Sequence, residues 1–111
     1  MIARMWVGQT PPELRDDYVD YVERTGLSEY RATAGNQGAY LLVRDLEDRS
    51  EFTCLSFWES WESIRAFAGE EPERARYYPE DRRYLLAFPR TVQHFDVHIP
   101  ARGGDMGTPQ E

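Results

Sequence analysis

The chain has no lysine. All 13 of its basic residues are arginine, set against 20 acidic residues and a formal net charge of −7. It has one cysteine, Cys54, and two histidines, His94 and His98. Each shortage closes off a class of function. A net-acidic chain lacks the basic face that grips a phosphate backbone, so no nucleic-acid partner is expected. A lone cysteine makes neither an internal disulfide nor a Cys-based metal site, and it fits a reducing, cytoplasmic compartment. No apolar run approaches the ~20 residues of a membrane helix, so no membrane partner is expected. The apolar start Met1–Val7 runs too soon into Pro11-Pro12 to be a secretory leader, and the mature protein is expected to begin with it. There is no glycine-rich phosphate loop, no nucleophile-elbow serine and no HExxH zinc motif.

What is present suffices for one domain. At 111 residues, 41% apolar and 14% aromatic, the chain can bury a real core. Residues 2–8 read as a strand closed by Gly8. Thr10, Pro11 and Glu13 then form a helix start, with Leu14, Tyr18, Tyr21 and Val22 at helical spacing and Gly26 as the stop, unless Leu27–Tyr30 extend the element. Residues 39–46 and 51–59 read as a hairpin across Glu47-Asp48-Arg49-Ser50. Ser60 is the expected N-cap of a second helix that ends at Gly69. Between Pro72 and Pro79 and beyond, short helical turns are expected at Glu73–Tyr77 and Glu80–Leu86, before a last strand at 91–99. The order is βαββαβ: an α+β, ferredoxin-like fold with a four-stranded antiparallel sheet and helices on one face. Residues 1–99 form the domain, and 100–111, rich in glycine, are an expected disordered tail. The uncovered sheet face needs a cover, and a second copy of the chain supplies the simplest one.

Strand alternation sorts the candidate chemistry. Ala3, Met5, Val7, Thr53, Leu55, Phe57, Phe95, Val97 and Ile99 form the drier face, expected to lie under the helices. Arg4, Trp6, Cys54, Ser56, Trp58, His94 and Asp96 share the other, which lines either a pocket or a subunit interface. His94 is the best general base by residue type, with a hydrogen-bonded structural histidine as the plainer reading. Arg4 suits an oxyanion or an acidic substrate group, or else it pairs with a carboxylate such as Asp96. His94, Asp96 and His98 lie on one strand face about 7 Å apart, which leaves a chelate without a third ligand, so no metal is expected. Trp6, Trp58, Trp61, Tyr77 and Tyr78 can stack on a flat ligand or simply build the core. Cys54 reads as a small buried hydrophobe rather than a nucleophile.

Three segments resemble the antibiotic biosynthesis monooxygenase (ABM) domain family: Met1-Ile2-Ala3-Arg4-Met5-Trp6, the Ser56-Phe57-Trp58-Glu59-Ser60 junction and Ile64-Arg65-Ala66-Phe67-Ala68-Gly69. Tyr77-Tyr78-Pro79-Glu80-Asp81 and Val92-Gln93-His94-Phe95-Asp96-Val97 fit its small bacterial members, so the resemblance spans about residues 1–99. It implies a dimeric α/β barrel, two ferredoxin-like subunits packed sheet to sheet. Some members are cofactor-free monooxygenases that oxidise phenolic polyketides with O₂, and others degrade haem. The haem-degrading members use a first-strand Asn, a helical Trp and a helical His. This chain has no such Asn, carries Phe67 at the helical position, and offers Tyr77 and Tyr78 in place of the histidine. The resemblance therefore implies a cofactor-independent oxidoreductase for a small aromatic or polyketide-like phenol, with no cofactor and no metal. His94 would deprotonate the phenol and Arg4 would stabilise the phenolate. Trp58 and Tyr78 would sandwich the ring, and Trp6 and Phe67 would line the site. The alternative is a non-catalytic dimeric domain of the same type that binds a small molecule or serves as an accessory.

Overall fold

Strand β1 (Ile2–Thr10) sits inside the sheet because both of its edges are used. It pairs antiparallel with β3 (Ser50–Trp58) on one side and with β4 (Gln93–Asp96) on the other. β2 (Asn36–Asp45) completes the antiparallel sheet in the order β2-β3-β1-β4. This computed structural model describes residues 1–98. Its helices α1 (Arg15–Val22), α2 (Ser28–Ala32) and α3 (Trp61–Ala68) complete the ferredoxin-like α+β fold expected from the element order. The expected tail lies outside the described residues.

The first helix is longer than its glycine predicts. Thr10 ends β1, fully buried, and its hydroxyl donates to Pro11 O at 2.9 Å rather than capping a helix. A 3₁₀ turn at Pro12–Leu14 opens the helical stretch instead, where proline's fixed φ is already helical. Gly26 does not stop it. The Thr25 hydroxyl donates to Tyr21 O at 2.7 Å, and the chain absorbs an extra residue in a π-turn, Glu23–Leu27, before α2 continues to Ala32. The second helix starts as the sequence predicts. The Ser60 side chain accepts from Ser63 N, and Ser63 Oγ accepts from Ser60 N, so two orphan donors are satisfied reciprocally. Gly69 closes it at φ 98°, which favours glycine.

The segment after α3 departs most from expectation. No helical turn forms at Glu73–Tyr77. The chain runs extended there, bridged by Ala75 N to Arg90 O at 2.8 Å and Val92 N to Glu73 O at 2.9 Å. Proline disfavours helical geometry in the residue before it, which pushes Tyr78 toward an extended conformation. The second expected turn survives as a 3₁₀ turn, Asp81–Arg83, and Leu86 N then bonds Gln9 O at 2.8 Å to tie this strap to the end of β1. β4 is only four residues long, shorter than the 91–99 read from alternation.

The two sheet faces are the reverse of the expectation. The mixed set faces the helices: Arg4, Trp6, Cys54, Ser56 and Trp58 are all buried. The drier set, with Met5, Val7, Leu55 and Phe57, is only half-buried on the outer face, where Tyr40, Leu42 and Phe95 are about half exposed. Ring area outweighs polar count. Trp6, Phe52 and Trp58 supply the bulk that Tyr18, Tyr30 and Phe67 interlock with: Phe52 meets Tyr18 at 5.0 Å, and Tyr30 meets Phe67 at 4.4 Å. The polar atoms among them are then satisfied locally, as where Trp58 Nε1 donates to Ser56 Oγ at 2.8 Å.

Removing the helix cap should be felt. Ser60→Ala is expected to lose about 1 kcal/mol, a fall of roughly 4–8 °C in melting temperature for a domain of this size, read by circular dichroism. An unchanged melting temperature would show that the cap contributes nothing.

Candidate functional site

The inward face of β1 carries Arg4 and Trp6, and the antiparallel register sets Cys54 of β3 opposite Trp6. Above them the helices and the strap leave a cavity. Tyr18, Val22, Thr25, Gly26 and Tyr30 form its helical wall, and Phe67 of α3 closes one end. Arg76, Tyr77, Tyr78 and Asp81 of the strap form the remaining side. The π-turn matters here, because it brings Thr25 and Gly26 to the wall, and Gly26 leaves room beside the Tyr78 ring. The cavity offers about 40 Å³ to the centres of water molecules. That is room for about three waters, or close to one six-membered ring.

Two charged groups define its chemistry. Arg4 is only 2% exposed. Its Nη2 donates to Arg74 O at 3.1 Å, its guanidinium lies 5.5 Å from the centre of the Phe67 ring, and its Nε is buried with no partner. No carboxylate among the described residues lies within ion-pair distance of it, and Asp96, the candidate partner, stands opposite Ile2 and is exposed. Burial lowers the Arg4 pKa, though the guanidinium stays charged. Arg76 also lies over the Phe67 ring, at 5.0 Å, but is neutralised by Glu29 at 2.7 Å.

Asp81 is the buried carboxylate of the cavity wall. Its Oδ1 accepts from Tyr18 OH at 3.0 Å and its Oδ2 from Tyr78 N at 2.6 Å. Burial raises its pKa and outweighs the stabilising effect of those two donors. Burial raises the phenols of Tyr18, Tyr30 and Tyr78 too, so they stay protonated, and the Cys54 thiol is pushed up to about 12 by desolvation. Cys54 is therefore no thiolate nucleophile. Trp6 Nε1 donates to Tyr77 OH at 3.1 Å, and Tyr77 OH to Pro89 O at 2.5 Å, which fixes both rings at the rim.

Of the residues singled out from sequence, Arg4, Trp6, Phe67 and Tyr78 line this cavity. Trp58 does not. It is fully buried behind the wall and packs against Phe67 at 5.6 Å. His94 stands opposite Arg4 in the β1–β4 register but is not part of the cavity lining, and its ring lies 4.8 Å from that of Trp61. Burial and then Arg4 lower its pKa, and its Nε2 is buried without a partner. Asp96 and His98 are exposed, and among the described residues no three His, Cys, Asp or Glu side chains converge on a metal position. Sequence reasoning missed Tyr18, Tyr30, Arg76 and Asp81 as wall residues. The signal for Asp81 was Tyr77-Tyr78-Pro79-Glu80-Asp81, whose proline and charges exclude a regular element without saying where the carboxylate points.

No protein-family model matches the sequence, and no curated protein matches it either. Solved structures do. A Bacillus cereus protein described as an antibiotic biosynthesis monooxygenase superposes with a TM-score of 0.63 at 16% identity, over 92% of this chain and 97% of that one. A variant of MhuD, solved with two manganese protoporphyrin IX molecules per active site, superposes with a TM-score of 0.57 at 17% identity, over 93% of this chain and 100% of that one. No helix of the described residues is long and apolar enough to cross a membrane.

A buried acid with a raised pKa has a definite linkage sign. The folded protein holds the Asp81 proton more tightly than the unfolded chain, so this group's contribution is complete at low pH and is lost as pH rises through its folded pKa. Urea denaturation of the native chain and Asp81→Asn at several pH values should show the native chain gaining on the variant as pH falls from neutrality toward the carboxylate range. A difference independent of pH would contradict the raised value. In fold, and at 16% and 17% identity, the chain is similar to the two solved structures.

Proposed function

We propose that the chain is a cofactor-independent monooxygenase of the ABM type that oxidises a small, single-ring phenol with O₂. One observation carries the reading: a ring-lined cavity holds a buried guanidinium without a counter-ion and a buried carboxylate of raised pKa. A general base works best when its pKa approaches that of the proton it takes, and burial moves Asp81 in that direction. Asp81 supports this role better than His94, because it faces the cavity. The phenol O–H breaks and its proton passes to Asp81. The phenolate, whose charge Arg4 offsets, gives one electron to O₂, and the resulting radical and superoxide combine in a new C–O bond. Asp81 returns its proton to the peroxide, and loss of the ring C–H proton then cleaves the O–O bond, expelling hydroxide that takes up that proton as water and leaving a quinone. Overall, phenol and O₂ give quinone and water, with all four electrons that reduce O₂ supplied by the substrate.

Haem does not fit these residues. A tetrapyrrole is several times larger than the cavity, no imidazole lines the wall, and the Cys54 thiol is held protonated by burial. No step is assigned to such a group.

Oxygen-electrode assays with single-ring phenols and hydroquinones test the proposal. Uptake should fall about 100-fold or more in Asp81→Asn and survive in His94→Ala. Absence of uptake by the native chain would remove the reading in favour of a binding protein, and loss in His94→Ala alone would return the proton to His94.

We also propose that the outer sheet face is covered by a second copy, giving a homodimer. The support is apolar: Tyr40 is 57% exposed, Leu42 49% and Phe95 49%, all on one face. Light scattering at micromolar concentration should return twice the chain mass, and Leu42→Arg should return the single mass. A monomeric native chain would exclude the dimer.

A further inference from the structure

The Arg4 guanidinium imposes a requirement that a neutral phenol does not meet. At neutral pH a phenol with a pKa near ~10 is uncharged when it binds, whereas a carboxylate with a pKa near ~4 is already an anion. A buried cation is costly unless an opposite charge accompanies it. The titratable groups facing Arg4 are Tyr30, Cys54, Arg76 and, across the β1–β4 register, His94, none of them a carboxylate. Arg76 is taken by Glu29, and Asp81 is held at its own end by Tyr18 OH and Tyr78 N. Arg4 itself keeps a buried Nε with nothing to donate to.

We propose that the ligand of this cavity is a single-ring aromatic carboxylate, its carboxylate on Arg4 and its ring against Phe67. The proposal rests on the cavity being the functional site and narrows the substrate class to hydroxylated benzoates. The volume admits one ring. The aromatic wall of Trp6, Tyr30, Phe67 and Tyr78 supplies faces and edges for it to pack on. Arg4 and Asp81 both line the cavity, so one group would anchor the carboxylate and the other take the proton of a ring hydroxyl. The buried guanidinium leaves the empty cavity with an uncompensated charge, and a bound carboxylate neutralises it at Arg4, which couples occupancy to stability.

The test is calorimetric and thermal-shift titration of the full chain with benzoate, benzamide and acetate. These separate charge from ring, since benzamide keeps the shape of benzoate without its charge. Benzoate is expected to bind at least about tenfold more tightly than benzamide, in keeping with a charge-assisted contact to a buried donor, and acetate to bind far more weakly than either. Arg4→Met, which keeps an unbranched apolar side chain in the space, should erase the benzoate preference and raise the melting temperature of the free protein by removing an uncompensated charge. Equal binding of benzoate and benzamide by the native chain would overturn the proposal, as would an Arg4→Met protein that keeps the preference. Acetate binding as tightly as benzoate would overturn the aromatic half. The native-chain comparison stands however the variant folds. Binding is read without turnover, so a benzoate preference without oxygen uptake removes the oxidation reading alone, and uptake of neutral phenols without that preference removes this one.

Discussion

The register between β1 and β3 is the constraint on which the rest of the molecule depends. With Arg4 opposite Ser56, Trp6 opposite Cys54 and Ile2 opposite Trp58, the inward face of the sheet carries both the largest rings and the polar groups. A slip of one residue would turn Arg4 and Trp6 outward and bring Met5 and Val7 in, and the cavity would lose its cation and half its floor. The same pairing holds β1 at the centre of the sheet, where its other edge can receive β4 and so place His94 beside Arg4 rather than beneath the helices' cavity.

The helical layer answers this face with aromatics. Tyr18, Tyr30 and Phe67 fill the space over Phe52, Trp58 and Arg4, and the strap brings Tyr77, Tyr78 and Asp81 against the side that the helices leave open. Most polar atoms in this layer have close partners: Trp58 with Ser56, Trp6 with Tyr77, Tyr18 with Asp81. Against that background two buried side-chain nitrogens among the described residues lack a partner, Arg4 Nε and His94 Nε2. Local satisfaction of buried groups is the general rule, and Arg4, which lines the cavity, departs from it.

The fold was legible because its signals are local and periodic. The Ser60 cap, the hairpin between β2 and β3 and the order of elements all come from neighbours in sequence. The outward-facing set was misjudged because alternation reports which residues share a face and not which face is covered. Counting polar atoms favoured the drier set for the interior, while the packed area of Trp6, Phe52 and Trp58 decided otherwise. Gly26 was read as a stop because propensity alone does not foresee that Thr25 can take over the Tyr21 carbonyl. The strap was illegible for a related reason: its order comes from long-range bonds such as Leu86 N to Gln9 O, which no local pattern encodes.

The candidate site divides along the same line. Arg4, Trp6, Phe67 and Tyr78 were reachable from sequence because they sit on regular elements or in a segment with a recognisable resemblance. Residue type alone did not say where Asp81 and His94 stand relative to the cavity, since a typical pKa carries no information about which side chain faces it. By itself, the sequence determined the acid-rich composition, the βαββαβ order and the placement of Arg4 and Trp6 on one strand face, because these follow from charge count, local signals and a two-residue period. Only the tertiary structure decided that this face is the covered one, that His94 lies outside the cavity, and that a buried aspartate faces the space beside an arginine with no counter-ion. Burial and charge environment are properties of the assembled layers, and they set both the pKa of Asp81 and the isolation of Arg4.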